Sequence, residues 1–384
     1  MILKSLKYCR NKGDKNEWRI EGSPAYGESE LTLNQINLVV GRNASGKTRT
    51  LDIIHQIADL LAGEVKPSDL IYGTSAYELL LENDSDEINY LVDFKNGKVI
   101  QEILRINATE KLNRAKGTLF YEEIGGNLSF KTDDDSLALS RRDSKQQPFF
   151  ESLYVWGKNL THYHFGGQLG QNIFLRDMNK VEKETLADLK KEDRVNEVFI
   201  KGIHQFGDDF KNAVINDMKE IDYPTYRINV ESAKYLPIGF GLNIQEADLD
   251  DVTDQREMSQ GMFRALSLLI QLNYSLLADI ASCILIDDIG EGLDYERSKG
   301  LIDLIIGKVK DSPVQVIMAS NDQFVMDKIP LEYWSVIQRI RNRSVFYNYT
   351  NAKQTFDDFL FTGLNNFDFF ATEFFAHGFE DYVK

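Results

Sequence analysis

The sequence holds two cysteines, Cys9 and Cys283, among 384 residues. A pair so far apart offers no disulfide framework and no metal-ligand spacing, and it fits a reducing compartment. No run approaches the roughly 18 consecutive apolar residues of a membrane span. The opening MILKSLKYCRNKGDKNEWRI has no apolar stretch behind its lysines, so a secretory signal is not expected there. A cytoplasmic location without membrane contact is expected. Cations are scarce as well: 44 Lys and Arg against 60 Asp and Glu give a net charge of −16. That excludes indiscriminate attraction of the whole surface to nucleic acid. Local basic patches remain, Arg339, Arg341 and Arg343 in one place and Arg141, Arg142 and Lys145 in another. Each reads more simply as solvated strand or loop charge. Only five histidines occur, and the alternating His162 and His164 have no acidic or cysteine ligands near them in sequence, so ordinary strand residues are expected there. Internal repeats, low-complexity linkers and sustained heptads are also missing, and no second catalytic constellation stands out.

What is present is an ordinary globular composition, 42% hydrophobic, long enough for one large α/β domain with an insertion or for two domains. The run INLVV, Ile36 to Val40, reads as a buried strand, and a helix from Lys47 to Leu61 follows a Gly-rich turn. Its Ile54, Ile57, Ala58 and Leu61 repeat at helical spacing, and Gly63 is a stop. From Tyr77 to Phe130, short apolar runs broken by NDSDE, KNGK and IGGN predict antiparallel hairpins. Residues from Leu175 to Lys219 read as helical and charged, with Lys183 to Arg194 a solvated face. The last third returns to strand CILID, a helix from Tyr295 to Ile306, and strand VQVIMA, which implies a mostly parallel sheet covered on both faces.

Gly41-Arg42-Asn43-Ala44-Ser45-Gly46-Lys47-Thr48 matches GxxxxGK[ST] in full. Glycines let the backbone curl so that its N–H groups face phosphates, and the following helix presents its positive end. Lys47 would reach the β/γ-phosphates and the Thr48 hydroxyl would ligate Mg²⁺. A second signal is the apolar strand ending in Asp287 and Asp288. Asp287 stands where a carboxylate would hold the Mg²⁺ shell, and Asp288 where one would polarise the attacking water. ATP and Mg²⁺ are the expected ligands.

Ser259-Gln260-Gly261-Met262-Phe263-Arg264, before the apolar helix RALSLLIQL, resembles the ABC signature. Ser259 is a good N-cap, Gly261 allows close approach to an anion, and a helix N-terminus adds a second phosphate site. One chain cannot wrap both sites around one ATP, which predicts a head-to-tail homodimer, and higher oligomers are compatible with it. Gly292-Leu293-Asp294 follows as a D-loop would, with Asp294 able to reach across the interface, and Asn321 falls where a switch histidine usually stands.

The order of these segments resembles the SMC/RecF/OLD-like branch of ABC ATPases over residues 30–325, and NLVVGRNASGKTRTLDII is similar to that branch's opening. Ser259 follows Lys47 by 212 positions, too many for a transporter subunit and too few, without heptads, for long coiled-coil arms. The resemblance implies an α/β P-loop fold with an ABC-type head, a mixed or parallel sheet with flanking helices, an antiparallel β subdomain and a helical insertion. The expected division is 1–170 (P-loop lobe with β segment), 171–225 (helical insertion), 226–350 (signature, Walker B and switch) and 351–384 (aromatic, acidic tail). It also implies a small, armless relative of bacterial defence ATPases, regulating an effector such as a nuclease or toxin.

Three departures bear on activity. Asp288 replaces the usual glutamate with a shorter side chain, Asn321 cannot take up a proton or positive charge although it could hydrogen-bond to a γ-phosphate, and Ile289 replaces a frequent proline. They favour slow turnover, a clamp or sensor more than a motor. One alternative is a barely hydrolysing scaffold that holds its partner, and another is a DNA-repair ATPase, which the acidity disfavours. No pattern fixes the Q-loop glutamine; Gln146 and Gln147 are candidates. Nine phenylalanines lie between Phe356 and Tyr382, and Phe367, Phe370, Phe374 and Phe375 would share one helical face. Docking on the protein's own core is the simpler expectation, a partner surface the alternative.

Overall fold

The computed structural model describes residues 1–23, 30–83, 86–183, 189, 192–234 and 239–379. They form two compact units, Met1–Leu160 with Pro330–Lys384, and Thr161–Ile329.

The first unit opens with β1 (Ile2–Arg10), β2 (Trp18–Gly22), β3 (Leu31–Thr32), β4 (Ile36–Val40) and α1 (Lys47–Ala62). Next come β5 (Ser75–Asn83), β6 (Asp86–Lys95), β7 (Lys98–Ile106), β8 (Thr109–Asn113), β9 (Thr118–Tyr121), β10 (Gly126–Ser129) and α2 (Phe149–Asn159). The second unit begins with β11 (Thr161–His164), α3 (Val195–Phe206), α4 (Asp208–Glu220), β12 (Thr225–Ser232), β13 (Phe240–Glu246) and β14 (Thr253–Asp254). It continues with α5 (Gln260–Leu277), β15 (Cys283–Asp287), α6 (Tyr295–Val309), β16 (Gln315–Ser320) and α7 (Gln323–Lys328). The chain then returns to the first unit as β17 (Trp334–Ile340), β18 (Arg343–Asn348), α8 (Lys353–Leu360), α9 (Asn366–Ala371) and α10 (Phe374–His377).

Strands of the first unit run in the order β10-β9-β8-β7-β6-β5-β1-β2-β18-β17-β4. The β5–β10 stretch is the antiparallel meander that the hairpin signals predict. Strands β5 and β6 alternate buried and exposed positions, as a sheet with one wet face requires. Asn96 and Gly97, at φ +51° and +72°, make the two-residue turn between β6 and β7. By contrast β4 is buried at every position and pairs parallel with β17. Helix α1 buries Ile54, Ile57, Ala58 and Leu61 and stops at Gly63, where Glu64 N–H donates to the Asp59 carbonyl at 2.9 Å. Gly157 of α2 lies so close to the Ala58 carbonyl of α1 that no side chain fits there.

In the second unit β16, β15 and β11 are parallel, with Ile284 opposite Val316 and His164 opposite Asp287. The strands β15 and β16 are buried throughout, which is why CILID and VQVIMA read as unbroken apolar runs. Helices α3 and α4 supply the expected helical insertion, and β12–β13–β14 add a small antiparallel sheet that the sequence reading did not separate. Asp217 of α4 accepts from Asn273 of α5 at 2.6 Å and pairs with Lys308 of α6 at 2.9 Å, fixing the insertion to the signature helix. Of the stretch 183–194, residues 184–188, 190 and 191 lie outside the described residues. No helix among the described residues is long and apolar enough to cross a membrane.

The C-terminal aromatics pack on their own unit: Phe369 meets Trp334 at 6.3 Å and Phe375 meets Tyr347 at 5.1 Å between ring centroids. They do not share the face of one helix. Glu373, at φ +56°, breaks the segment into α9 and α10, so burial falls on Phe369, Phe374 and Phe375.

Candidate functional site

The first unit carries the phosphate-loop half. Leaving the buried strand β4, the chain turns at Gly41, where a Cβ would stand 2.7 Å from the Ile337 carbonyl and 2.6 Å from its Cγ2. Ala44 and Gly46 then take φ of +63° and +113°. These left-handed positions curl the loop over the start of α1. The buried Lys47 folds back across it, its Nζ donating to the Gly41 carbonyl at 2.8 Å and to the Arg42 carbonyl at 3.4 Å. Ser344 of β18 donates to the Ser45 carbonyl at 3.0 Å and pins the loop from below. The Ser45 hydroxyl is buried with no hydrogen-bond partner among the described residues. Arg42, Asn43, Ala44 and Thr48 face solvent. A curled backbone, a buried ammonium, an orphaned hydroxyl and a free helix N-terminus fit a bound phosphate chain. Thr48, exposed at the second position of α1, offers its hydroxyl to a cation.

The second unit carries the segment that resembles the ABC signature, the strand ending in Asp287 and the loops that follow it. Ser259 caps α5, its hydroxyl accepting from Met262 N–H at 3.2 Å. Gly261 sits hard against the loop after β15: a Cβ there would meet the Gly292 carbonyl at 2.5 Å and Leu293 Cδ2 at 3.0 Å. Arg264, one turn on, is 7% exposed. Its guanidinium donates to three backbone carbonyls, Gly166 at 2.5 Å, Gly167 at 3.0 Å and Glu291 at 2.9 Å. Signature helix, D-loop and the turn after β11 are thereby one hydrogen-bonded piece.

Asp287 ends β15 almost fully buried, and Asp288 takes φ +53° at the turn that follows. Ser320, at the end of β16, donates to the Ile289 carbonyl at 3.2 Å, and Ile289 N–H donates to Ala319 at 3.0 Å. The switch segment with Asn321 therefore lies beside the Walker B turn. Asp294 caps α6, accepting from Arg297 N–H at 3.0 Å and pairing with its guanidinium at 2.6 Å. Those contacts, the backbone donor first, hold its carboxyl below the usual range.

The sequence profile of the family described as "AAA domain, putative AbiEii toxin, Type IV TA system" matches residues 36–327. The chain belongs to that family. Its fold is that of an ABC-type P-loop head, as the order of motifs implied. No relative among curated proteins matches the sequence. Among solved structures it is similar to an SMC head bound to the C-winged-helix domain of ScpA, with 15% identity and a TM-score of 0.51, covering 90% of this chain and 97% of that one. It is also similar to the Smc head domain with an extended coiled coil, bound to the C-terminal domain of ScpA, from Pyrococcus furiosus. There the identity is 14% and the TM-score 0.50, covering 93% of this chain and 99% of that one. At these identities the likeness is one of fold.

Gln146 and Gln147 lie at the foot of α2 in the first unit, with Gln147 buried. The strand beside β15 is β11, where Phe165 N–H donates to the Asp287 carbonyl at 2.9 Å, and the first glutamine after it is the exposed Gln168. Gln171 follows, buried, its amide donating to the Gln255 and Met258 carbonyls at 3.0 and 2.9 Å just before the signature. His162 and His164 lie on β11 with rings 4.3 Å apart, and His164 Nδ1 is 3.2 Å from Glu192.

Proposed function

We propose that the chain is an ATP-hydrolysing clamp whose two copies close head to tail on ATP and reopen on hydrolysis, and which thereby regulates an effector partner. The observation that carries this reading is the joined edge of Ser259, Gly261 and the D-loop. It offers a capped helix N-terminus and close backbone approach on the unit that does not carry the P-loop. Lys47 and the loop N–H groups bind the phosphates, and Ser259 and Gly261 complete the neighbour's site. Mg²⁺, held by Thr48 and Asp287, supplies charge neutralisation on the β/γ-phosphates when bound. Asp288 positions water, and Asn321 donates a hydrogen bond from the switch. Gln168, next to the Gly166 and Gly167 carbonyls held by Arg264, senses the same event. The solved SMC heads carry a ScpA domain, and the family description names a toxin–antitoxin system; both support an effector partner and a defence role here.

Two variants test the clamp. Lys47→Ala is expected to abolish ATP binding and turnover. Ser259→Arg is expected to leave binding intact while preventing ATP-dependent dimerisation by light scattering. Dimers that form with ATP in Ser259→Arg as in the parent would sink the reading.

A second reading, a scaffold that binds ATP and barely hydrolyses it, is supported by Asp288. Its short side chain is set on a left-handed backbone position, and Asn321 brings no proton to the opposite side. Equal turnover in the parent and in Asp288→Ala selects the scaffold.

A further inference from the structure

The C-terminal segment buries Phe356, Phe359, Phe369, Phe374 and Phe375, yet the turn between α8 and α9 sends three apolar side chains outward. Leu360 is 61% exposed, Phe361 87% and Leu364 48%; Phe361 is the most exposed large apolar side chain among the described residues. The turn is built for this display. Thr362 donates to the Phe359 carbonyl through both its N–H, at 2.9 Å, and its hydroxyl, at 2.7 Å. Leu364 N–H donates to the Thr362 hydroxyl at 3.2 Å, and Gly363 takes φ +71°, a conformation in which a side chain would be strained. A capping box of Asn365 and Asp368 starts α9 immediately afterwards. A frayed loop can leave a phenylalanine in water by default. A hydrogen-bonded turn that holds one there keeps apolar surface ready for contact.

Charge identifies the kind of contact. Residues 353–379 contain Asp357, Asp358, Asp368 and Glu373 against the single Lys353, which pairs with Asp357 at 2.5 Å. A second copy of this chain, with its net charge of −16, would meet like charge on approach. A cationic surface would be attracted instead, and complementary charge at the rim raises association rate and rejects wrong partners. We propose that the Leu360–Phe361–Leu364 knob is the docking surface for a partner protein that presents an apolar pocket rimmed by lysine and arginine. Glu373 of the same segment is paired with Arg42 of the phosphate loop at 2.6 Å, so a protein seated on the knob grips an element in contact with that loop. This consequence rests on the clamp reading; the docking itself does not.

The experiment places a photo-crosslinking p-benzoylphenylalanine in the full-length chain at Phe361, and for comparison at Ile71, which is 68% exposed in the same unit. The chain is expressed in its native host and irradiated. The protein captured specifically from position 361 is then purified and titrated against the parent chain. Expected are a partner of net positive charge, binding that weakens at least ten-fold in Phe361→Ser and in Leu360→Ser, and further weakening as salt rises from about 50 to 300 mM. The unfolding midpoint and ATP turnover of Phe361→Ser alone should match the parent. The proposal is overturned by no adduct beyond that at Ile71, by an adduct with a second copy, with an acidic protein or with nucleic acid, or by unchanged affinity in Phe361→Ser. Failure of the clamp reading shows separately, as ATP binding that survives Lys47→Ala while knob-dependent docking persists.

Discussion

Arg42 of the phosphate loop and Glu373 of the C-terminal segment, 331 positions apart in sequence, form an ion pair with Nη2 2.6 Å from Oε1. The loop's own arginine thus already holds an anion, and that anion belongs to the last aromatic segment of the chain. A nucleotide's phosphates and the Glu373 carboxylate would compete for one guanidinium. The pair is largely solvated, so its worth is at most about 1 kcal/mol. Glu373→Gln is therefore expected to tighten ATP binding by about two- to five-fold at low salt. The gain should fade as salt screens the pair. Fluorescent-nucleotide titration at two salt concentrations checks this, and unchanged affinity at low salt would show that Arg42 takes no part in phosphate binding.

Gly261 permits no side chain. A Cβ would lie 2.5 Å from the Gly292 carbonyl, a backbone atom that can move only by shifting the D-loop. Gly261→Ala is expected to cost about 1–3 kcal/mol of stability, as overpacked positions do. It should also remove ATP-dependent dimerisation and turnover while leaving nucleotide binding at the P-loop of the other unit. Turnover at the parent's rate would mean that the signature turn is no part of the working site.

How much of this was legible depends on whether a feature is local. INLVV and CILID became β4 and β15 at the expected residues because an unbroken apolar run of strand length, bounded by turn residues, has few other solutions. Ser259 declared itself as a cap by type and position. The place of β11 did not, because adjacency to β15 is set by strand order, and nothing local in Thr161–His164 says that it lies beside Cys283–Asp287. The tail failed differently. Its aromatic spacing suits one helix, but Glu373 in a left-handed conformation ends the periodicity, and only packing on Trp334 and Tyr347 selects which phenylalanines are buried. Arg264 was visible as the last letter of a motif, while its three carbonyl partners come from segments 27 to 98 residues away.

Those three partners make Arg264 hard to replace. Removing the guanidinium leaves the half-buried carbonyls of Gly166, Gly167 and Glu291 without their donor, and hydrogen bonds to a charged group are worth about 1.5–3 kcal/mol each. Lysine cannot span them, since its donors radiate from one atom and do not form a planar fork. Arg264→Lys is expected to lower the chemical-denaturation stability by at least about 2 kcal/mol. It should slow turnover while leaving ATP affinity near that of the parent. Loss of affinity with unchanged turnover per bound ATP would contradict this division.

Asp294 gives a pH-dependent test of whether the D-loop carboxylate acts first as a helix cap. Its carboxyl is held below the ordinary range by the Arg297 N–H and then by the Arg297 side chain. A depressed pKa means that the folded state favours the charged form. The stabilisation is therefore present above the unfolded pKa and is lost as pH falls through the folded one. Half the side chain is in water, so the ionic part is screened and the cap hydrogen bond carries most of the effect. Asp294→Ala should cost about 1 kcal/mol at pH 7, the usual worth of an N-cap. The gap between parent and variant should narrow below about pH 4, where the unfolded carboxyl also binds its proton. Urea midpoints at neutral and acid pH measure it. A gap that stayed constant or widened in acid would mean that the carboxylate does not cap α6 in solution and is free to act at the interface instead.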